Sequence, residues 1–337
     1  MTGEPITEAT TAAMARSLRG TGNRADDGFR VLAVAAAALV LLVLGAIALT
    51  MTMRAAGVFA DHGAEFFTST RWAPAGDDPA QQHFGALSFI WGTLYTSLIA
   101  LVIAVPISLA VALYTTQVAP VWLKRPLVYV LDLLAVVPSV VFGLWGVLTL
   151  AEPIQGVYAK IHGAVDGIPI LQSIFGAGAQ GRSFMTAGVI LAVMITPIIT
   201  SLSREVIETT PQNEKEAAYG LGATRWEMIR GAVIPHSKIG IVGAVMLGLG
   251  RAMGETIAAA LVIGSSVGQV SANVFSSGNS MPAVIANEWG EAKDPHKAGL
   301  IALAVVLFAM TIVVNVVASW IVRRAQVRQY GSRGGRR

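Results

Sequence analysis

Apolar residues fall along this chain in six long blocks, at roughly 31–50, 91–114, 127–150, 184–203, 239–263 and 299–322. Each block is about as long as the 20 or so residues a bilayer-crossing helix needs. The first block outruns the apolar region of a secretion signal, about 7–15 residues, so the pattern predicts a retained helix. The fold expected is an all-α membrane protein with six transmembrane helices spanning 30–325.

The stretches between blocks are uneven. Residues 1–29 are polar, have no apolar period and read as a disordered tail; 326–337 read as a basic C-terminal tail. Residues 55–70 predict a short interfacial helix with Phe59, Phe66 and Phe67 turned to lipid. Residues 151–182 contain GIPILQSIFGAGAQG, which is too short and too rich in glycine to cross and predicts a re-entrant or surface segment. Pro106, Pro138 and Pro197 interrupt the second, third and fourth blocks and should kink or open those helices.

Composition strengthens the membrane reading. Only 13% of residues are charged, against about 25% in soluble domains. There is no cysteine, which removes disulfides and thiolate chemistry, and no two of the 5 histidines sit at helical metal-binding spacing. The net charge of +4 does not call for nucleic acid, because the positive residues are sorted by side. Arg16, Arg19, Arg24 and Arg30 precede the first block; Lys124 and Arg125 lie between the second and third; five more lie between the fourth and fifth, and six follow the last. Loops on the other side carry six in all. The asymmetry predicts both termini in the cytoplasm, with the flanking cations near anionic lipid.

The loop from Thr209 to Lys238 is the most legible stretch. Thr210–Pro211 reads as a helix start, Gly220 and Gly222 as a stop, Thr224 with Glu227 as a capping box, and Pro235 as a second stop. Two short helices with a glycine bend are expected over 210–235. Neither is long or basic enough for a DNA-reading pair, which leaves a structured connector or a knob that docks into a partner.

Here EAAYGLG followed by AVIP resembles the EAA loop of ABC importer permeases. Glu216, Ala217, Ala218, Gly222 and Pro235 match that motif, while Ala232 and Ile234 stand where the family has Ile and Leu. Over residues 30–325 the chain is similar to the phosphate permease (PstC) family, most specifically in EKEAAYGLGATRWEMI and GLGRAMGET, and also in PSVVFG and ANEWGEA. The resemblance implies a type I ABC importer fold in a bacterial cytoplasmic membrane. It implies a second, homologous permease (PstA type), two cytosolic ATPase subunits (PstB type) and a periplasmic phosphate-binding protein (PstS type). No G-x-x-x-x-G-K-[ST] loop is present, so ATP and Mg are expected on the ATPase partner, and no cofactor or metal on this chain.

The fifth block poses the chemical question. Arg251 and Glu255 lie near its centre, four residues apart, with Gly250 and Gly254 beside them. A mid-membrane arginine costs about 2.5–3.5 kcal/mol on insertion scales. On a continuous helix the two side chains share a face and can pair, and the glycines let another helix approach. The pair predicts a face turned into a bundle or an aqueous path. One use is an internal ion pair that holds the bundle together. The other is an oxyanion path, since a guanidinium is always charged and forks onto phosphate-like oxygens. Arg251, Glu255 and Thr256 are the translocation candidates. Asp132, Ser139, Thr196 and Thr200 are weaker ones, because hydroxyls in membrane helices commonly bond their own backbone. Sulfate and molybdate permeases show a similar R-A-x-G-E run, so phosphate itself rests on the resemblance. A rival reading is an ion-coupled secondary oxyanion transporter needing no ATPase.

Overall fold

The structure is a computed structural model and describes residues 24–74, 82–178 and 181–331. Residues 1–23 and 332–337, and with them most of the expected tails, lie outside the described residues. The inner ends of both expected tails are helical instead, from Arg24 and to Gly331.

Among the described residues, six continuous helical stretches are long and apolar enough to cross a membrane: Asp27–His62, Leu87–Val118, Ser139–Ala164, Phe184–Glu208, Arg225–Gly254 and Asp294–Trp320. The chain divides into two units, one ending at Met53 and one starting at Arg54. The described part of the first unit is the leading portion of helix α1 (Arg24–His62), whose apolar side chains are exposed.

In the second unit, a helical turn α2 (Glu65–Thr68) and a two-stranded hairpin, β1 (Trp72–Ala73) with β2 (His83–Phe84), precede helix α3 (Leu87–Leu113). The expected lipid-facing aromatics are corrected in part: Phe67 is exposed as expected, but Phe66 is not. Residues 55–62 end α1, and Phe66 is fully buried, edge-on to Phe59 and Phe67 and clustered with Trp72, Phe84 and Phe89. The hairpin covers it, which is a better burial than a lipid interface offers.

The core is α3 against α8 (Phe184–Glu208). Small residues let them close: a side chain at Gly188 would strike Ile99. Pro106 and Pro197 sit within unbroken helices. Ser108 donates across to the Thr196 carbonyl at 3.1 Å beside both prolines. Ser183 caps α8 by accepting from the Thr186 N–H.

Pro138 acts differently. It separates α4 (Val121–Val136) from α5 (Ser139–Trp145), which runs through a π-turn into α6 (Ala151–Ala164). Lys124 pairs with Glu208 at the end of α8 at 2.9 Å, and a side chain at Gly181, ahead of α8, would strike the Ala151 carbonyl. Residues 121–150 thus run antiparallel along all of α8, as one crossing made of two helices. The expected surface segment 151–182 is corrected in part: α6 continues that crossing outward, with buried Tyr158 bonded to Thr186 at 2.9 Å, before the short helix α7 (Pro169–Ile174).

The loop after α8 holds α9 (Gln212–Gly220) and α10 (Arg225–Met228). From α10 the chain passes through a π-turn, Ile229–Val233, into α11 (Ile234–Gly254). Pro235 therefore does not stop the second helix. The wide turn makes room for a ring that would clash in a regular α-turn. After α11 come α12 (Ile257–Val262), a loop, α13 (Met281–Glu288) and α14 (Asp294–Gly331).

Candidate functional site

The fifth apolar block is not one helix. α11 ends at Gly254, Glu255 is extended (φ −69°, ψ 125°), and α12 begins at Ile257. The expected i,i+4 pairing of Arg251 with Glu255 is overturned by that break. Glu255 is 8% exposed, and its carboxylate accepts the Ala258 N–H at 3.2 Å, satisfying a donor at the start of α12. Thr256 is half-buried and its hydroxyl donates to the Gly254 carbonyl at 3.2 Å. Arg251 is exposed, and among the described residues no carboxylate lies within 4.0 Å of it. The helix break has separated the two charges, giving one a backbone task and leaving the other open.

The two faces of α11 explain where Arg251 points. Gly240 and Gly248 meet α8: side chains there would strike Val206 and Ile199. Ser237, Ala244, Gly248 and Ala252, also on that side, are buried. The other face carries Gly243, Leu247, Gly250, Arg251 and Gly254. Nothing lies within 4 Å of a side chain built at those three glycines, and Leu247 is 61% exposed. Among the described residues, Gly250 and Gly254 thus have no close-packed helix beside them. An exposed guanidinium amid apolar residues at this depth is disfavoured in lipid. The face requires water or another protein chain.

The weaker candidates do not join it. Thr196 and Thr200 donate to the carbonyls four residues back, at 2.7 Å each. Asp132 is exposed on α4 and Ser139 half-buried at the start of α5.

The second site is the 210–235 loop. Gly222 has φ +81°, its N–H reaches the Tyr219 carbonyl, and the Ala223 N–H reaches Ala218. This is a Schellman stop, and it makes Gly222 rather than Gly220 the terminating glycine. Thr224 and Glu227 form the capping box. Pro211 takes the cap position of α9, displacing the expected Thr210, whose hydroxyl meets Ser237 of α11 at 3.2 Å. Met228, Ile229 and Val233 pack on Ile207 and Ala112 beneath the core. The loop is therefore a rigid extension of the α3–α8 bundle. Glu216, Ala217, Gly222 and Pro235 are exposed on it, with Ala218 half-buried. Sequence reasoning missed its apolar tip: Leu221 is 90% and Trp226 62% exposed. Both flank the glycine bend, which was the available signal.

The family model described as "Binding-protein-dependent transport system inner membrane component" matches residues 104–327, taking in both sites. This chain belongs to that family. As a member of it the chain is a multi-pass membrane permease, a transport component rather than an enzyme. That decides against the stand-alone exchanger. The "Phosphate transport system permease protein PstC" of Xylella fastidiosa is 39% identical over 320 residues, covering 94% of this chain and 96% of that protein. Its namesake in Haemophilus influenzae is 39% identical, covering 86% and 90%. "PstC 2" of Mycobacterium tuberculosis is 36% identical, covering 94% and 97%. An inward-facing crystal form of the MetNI methionine ABC transporter aligns with TM-score 0.50 at 17% identity, covering 70% of this chain and 94% of that one. At that identity the likeness is one of fold.

Proposed function

We propose that this chain is a permease subunit of an ATP-driven importer of inorganic phosphate in a bacterial cytoplasmic membrane. The observation that carries the reading is the exposed, unpaired Arg251 on the open face of α11, at a depth where lipid would reject it. A second, homologous permease (PstA type) covers that face, and the translocation path runs between the two. Gly243, Gly250 and Gly254 let the partner helix come close. Arg251 offers a forked pair of donors to a tetrahedral oxyanion in transit. Glu255 acts at one remove: by capping α12 it holds the break open beside Arg251, and Thr256 adds a hydroxyl there. The names of the relatives favour phosphate over sulfate or molybdate.

Of the two ATPase subunits (PstB type), one docks on the 210–235 loop, with Leu221 and Trp226 as the apolar anchors and Glu216 beside them. ATP and Mg act on those partners. A phosphate-binding protein (PstS type) delivers substrate at the opposite edge. Because the loop is rigidly joined to α11 through the π-turn, closure of the ATPases moves α11 and with it Arg251. The deciding experiment is uptake into vesicles holding the reconstituted importer. Phosphate should enter and sulfate and molybdate should not; equal entry of all three overturns the phosphate assignment.

A further inference from the structure

At the membrane edge away from the coupling loop, the second unit holds a cleft of about 480 Å³ lined by Arg54, Trp289, Asp294, Lys297, Ala298 and Ile301. Chain order sets the edge: the coupling loop follows the fourth crossing, whereas Lys297 opens the sixth, and Arg54 lies near the end of α1. Arg54 and Lys297 are the cations of the cleft, and among the described residues neither has a carboxylate within 4.0 Å, Asp294 included. Neighbouring residues are spoken for elsewhere. Glu288 accepts from Trp72 at 2.9 Å and meets His296 at 2.8 Å. The lining therefore brings two cations without a carboxylate partner together with an indole and the apolar Ala298 and Ile301.

We propose that this cleft holds the phosphate group of a membrane glycerophospholipid. Free phosphate shares the anionic chemistry but gains nothing from Trp289, Ala298 and Ile301, and it would shed more of its hydration. A phospholipid uses every part: Arg54 and Lys297 take the phosphodiester, Trp289 lies at headgroup level, and the acyl chains continue down α14 past Ile301. Asp294 trims the positive field, so the lipid is held without being locked. The site is separate from Arg251 and stands whichever anion the importer carries.

The test uses the assembled importer, stripped of lipid in detergent and titrated with short-chain phosphatidylglycerol, with binding read by native mass spectrometry. Arg54→Gln and Lys297→Gln should each weaken binding about fivefold. Asp294→Asn should strengthen it, a sign that misfolding does not produce and that decides the matter if the other variants fold poorly. Orthophosphate at matched concentration should leave the lipid bound. Unchanged phosphatidylglycerol binding when Arg54→Gln and Lys297→Gln are combined overturns the proposal, as does the absence of a gain in Asp294→Asn. Displacement by orthophosphate assigns the cleft to the free ion instead.

Discussion

The two faces of α11 are built from the same materials and do opposite things. On one, Gly240 and Gly248 bring the helix onto α8 until added side chains would collide with Val206 and Ile199. On the other, side chains at Gly243, Gly250 and Gly254 would meet nothing within 4 Å among the described residues, and Arg251 stands among them. Glycine at helical spacing in an apolar segment thus marks close approach in both cases. What separates a finished contact from a waiting one is whether the chain itself supplies the neighbour. On the proposed reading, the charge belongs on the waiting side because an aqueous path between two subunits would form there.

The strongest way to break this comparison is Arg251→Ala. Losing two charge-assisted hydrogen bonds at about 1.5–3 kcal/mol each should cut uptake by at least about a hundredfold, while the complex still assembles. Near-normal uptake in vesicles makes Arg251 structural. Arg251→Lys should recover little, because a point charge lacks the fork. Next comes the glycine contrast. Gly248→Leu should destabilise the chain by about 1–3 kcal/mol, through overpacking against Ile199. Gly250→Leu should leave the melting temperature of the single chain within a few degrees but abolish co-purification of the second permease. Equal melting shifts for the two would remove the distinction between the faces. Leu221→Asp should leave pairing of the permeases intact and lose the ATPase on size-exclusion chromatography.

Much of this was legible beforehand because it depends on period and local chemistry. Six apolar blocks predict six crossings, and Thr224–Glu227 predicts a capping box that the structure forms. The EAA stretch marked a rigid loop, since its glycine, cap and acidic first turn are all local signals. The misses are places where tertiary contacts outweigh local ones. Phe66 looked interfacial, yet the hairpin some distance along the chain buries it. Pro235 looked like a stop, but a π-turn absorbs it. Pro106, Pro138 and Pro197 read alike in sequence, and only Pro138 parts two helices. The Arg251–Glu255 pairing failed for a subtler reason. The expectation of one helix over 239–263 overlooks that Gly254 and Thr256 bracket Glu255 with a helix-ending residue and a capping type.

That break supplies the finest test of the two-faced helix. Glu255 is buried and bonds the Ala258 N–H, so its effect on Arg251 runs through backbone geometry. Glu255→Gln keeps an acceptor oxygen and should retain the cap, costing a few tenths of a kcal/mol and leaving uptake within about threefold. Glu255→Ala removes the acceptor and strands a buried N–H, which costs about 1–3 kcal/mol and should lower uptake further. If the carboxylate instead paired with Arg251 during transport, the neutral amide would be as damaging as alanine. The ratio of the two uptake rates separates a capping residue from a charge partner, and the geometry at Gly254 predicts that Gln is the milder change.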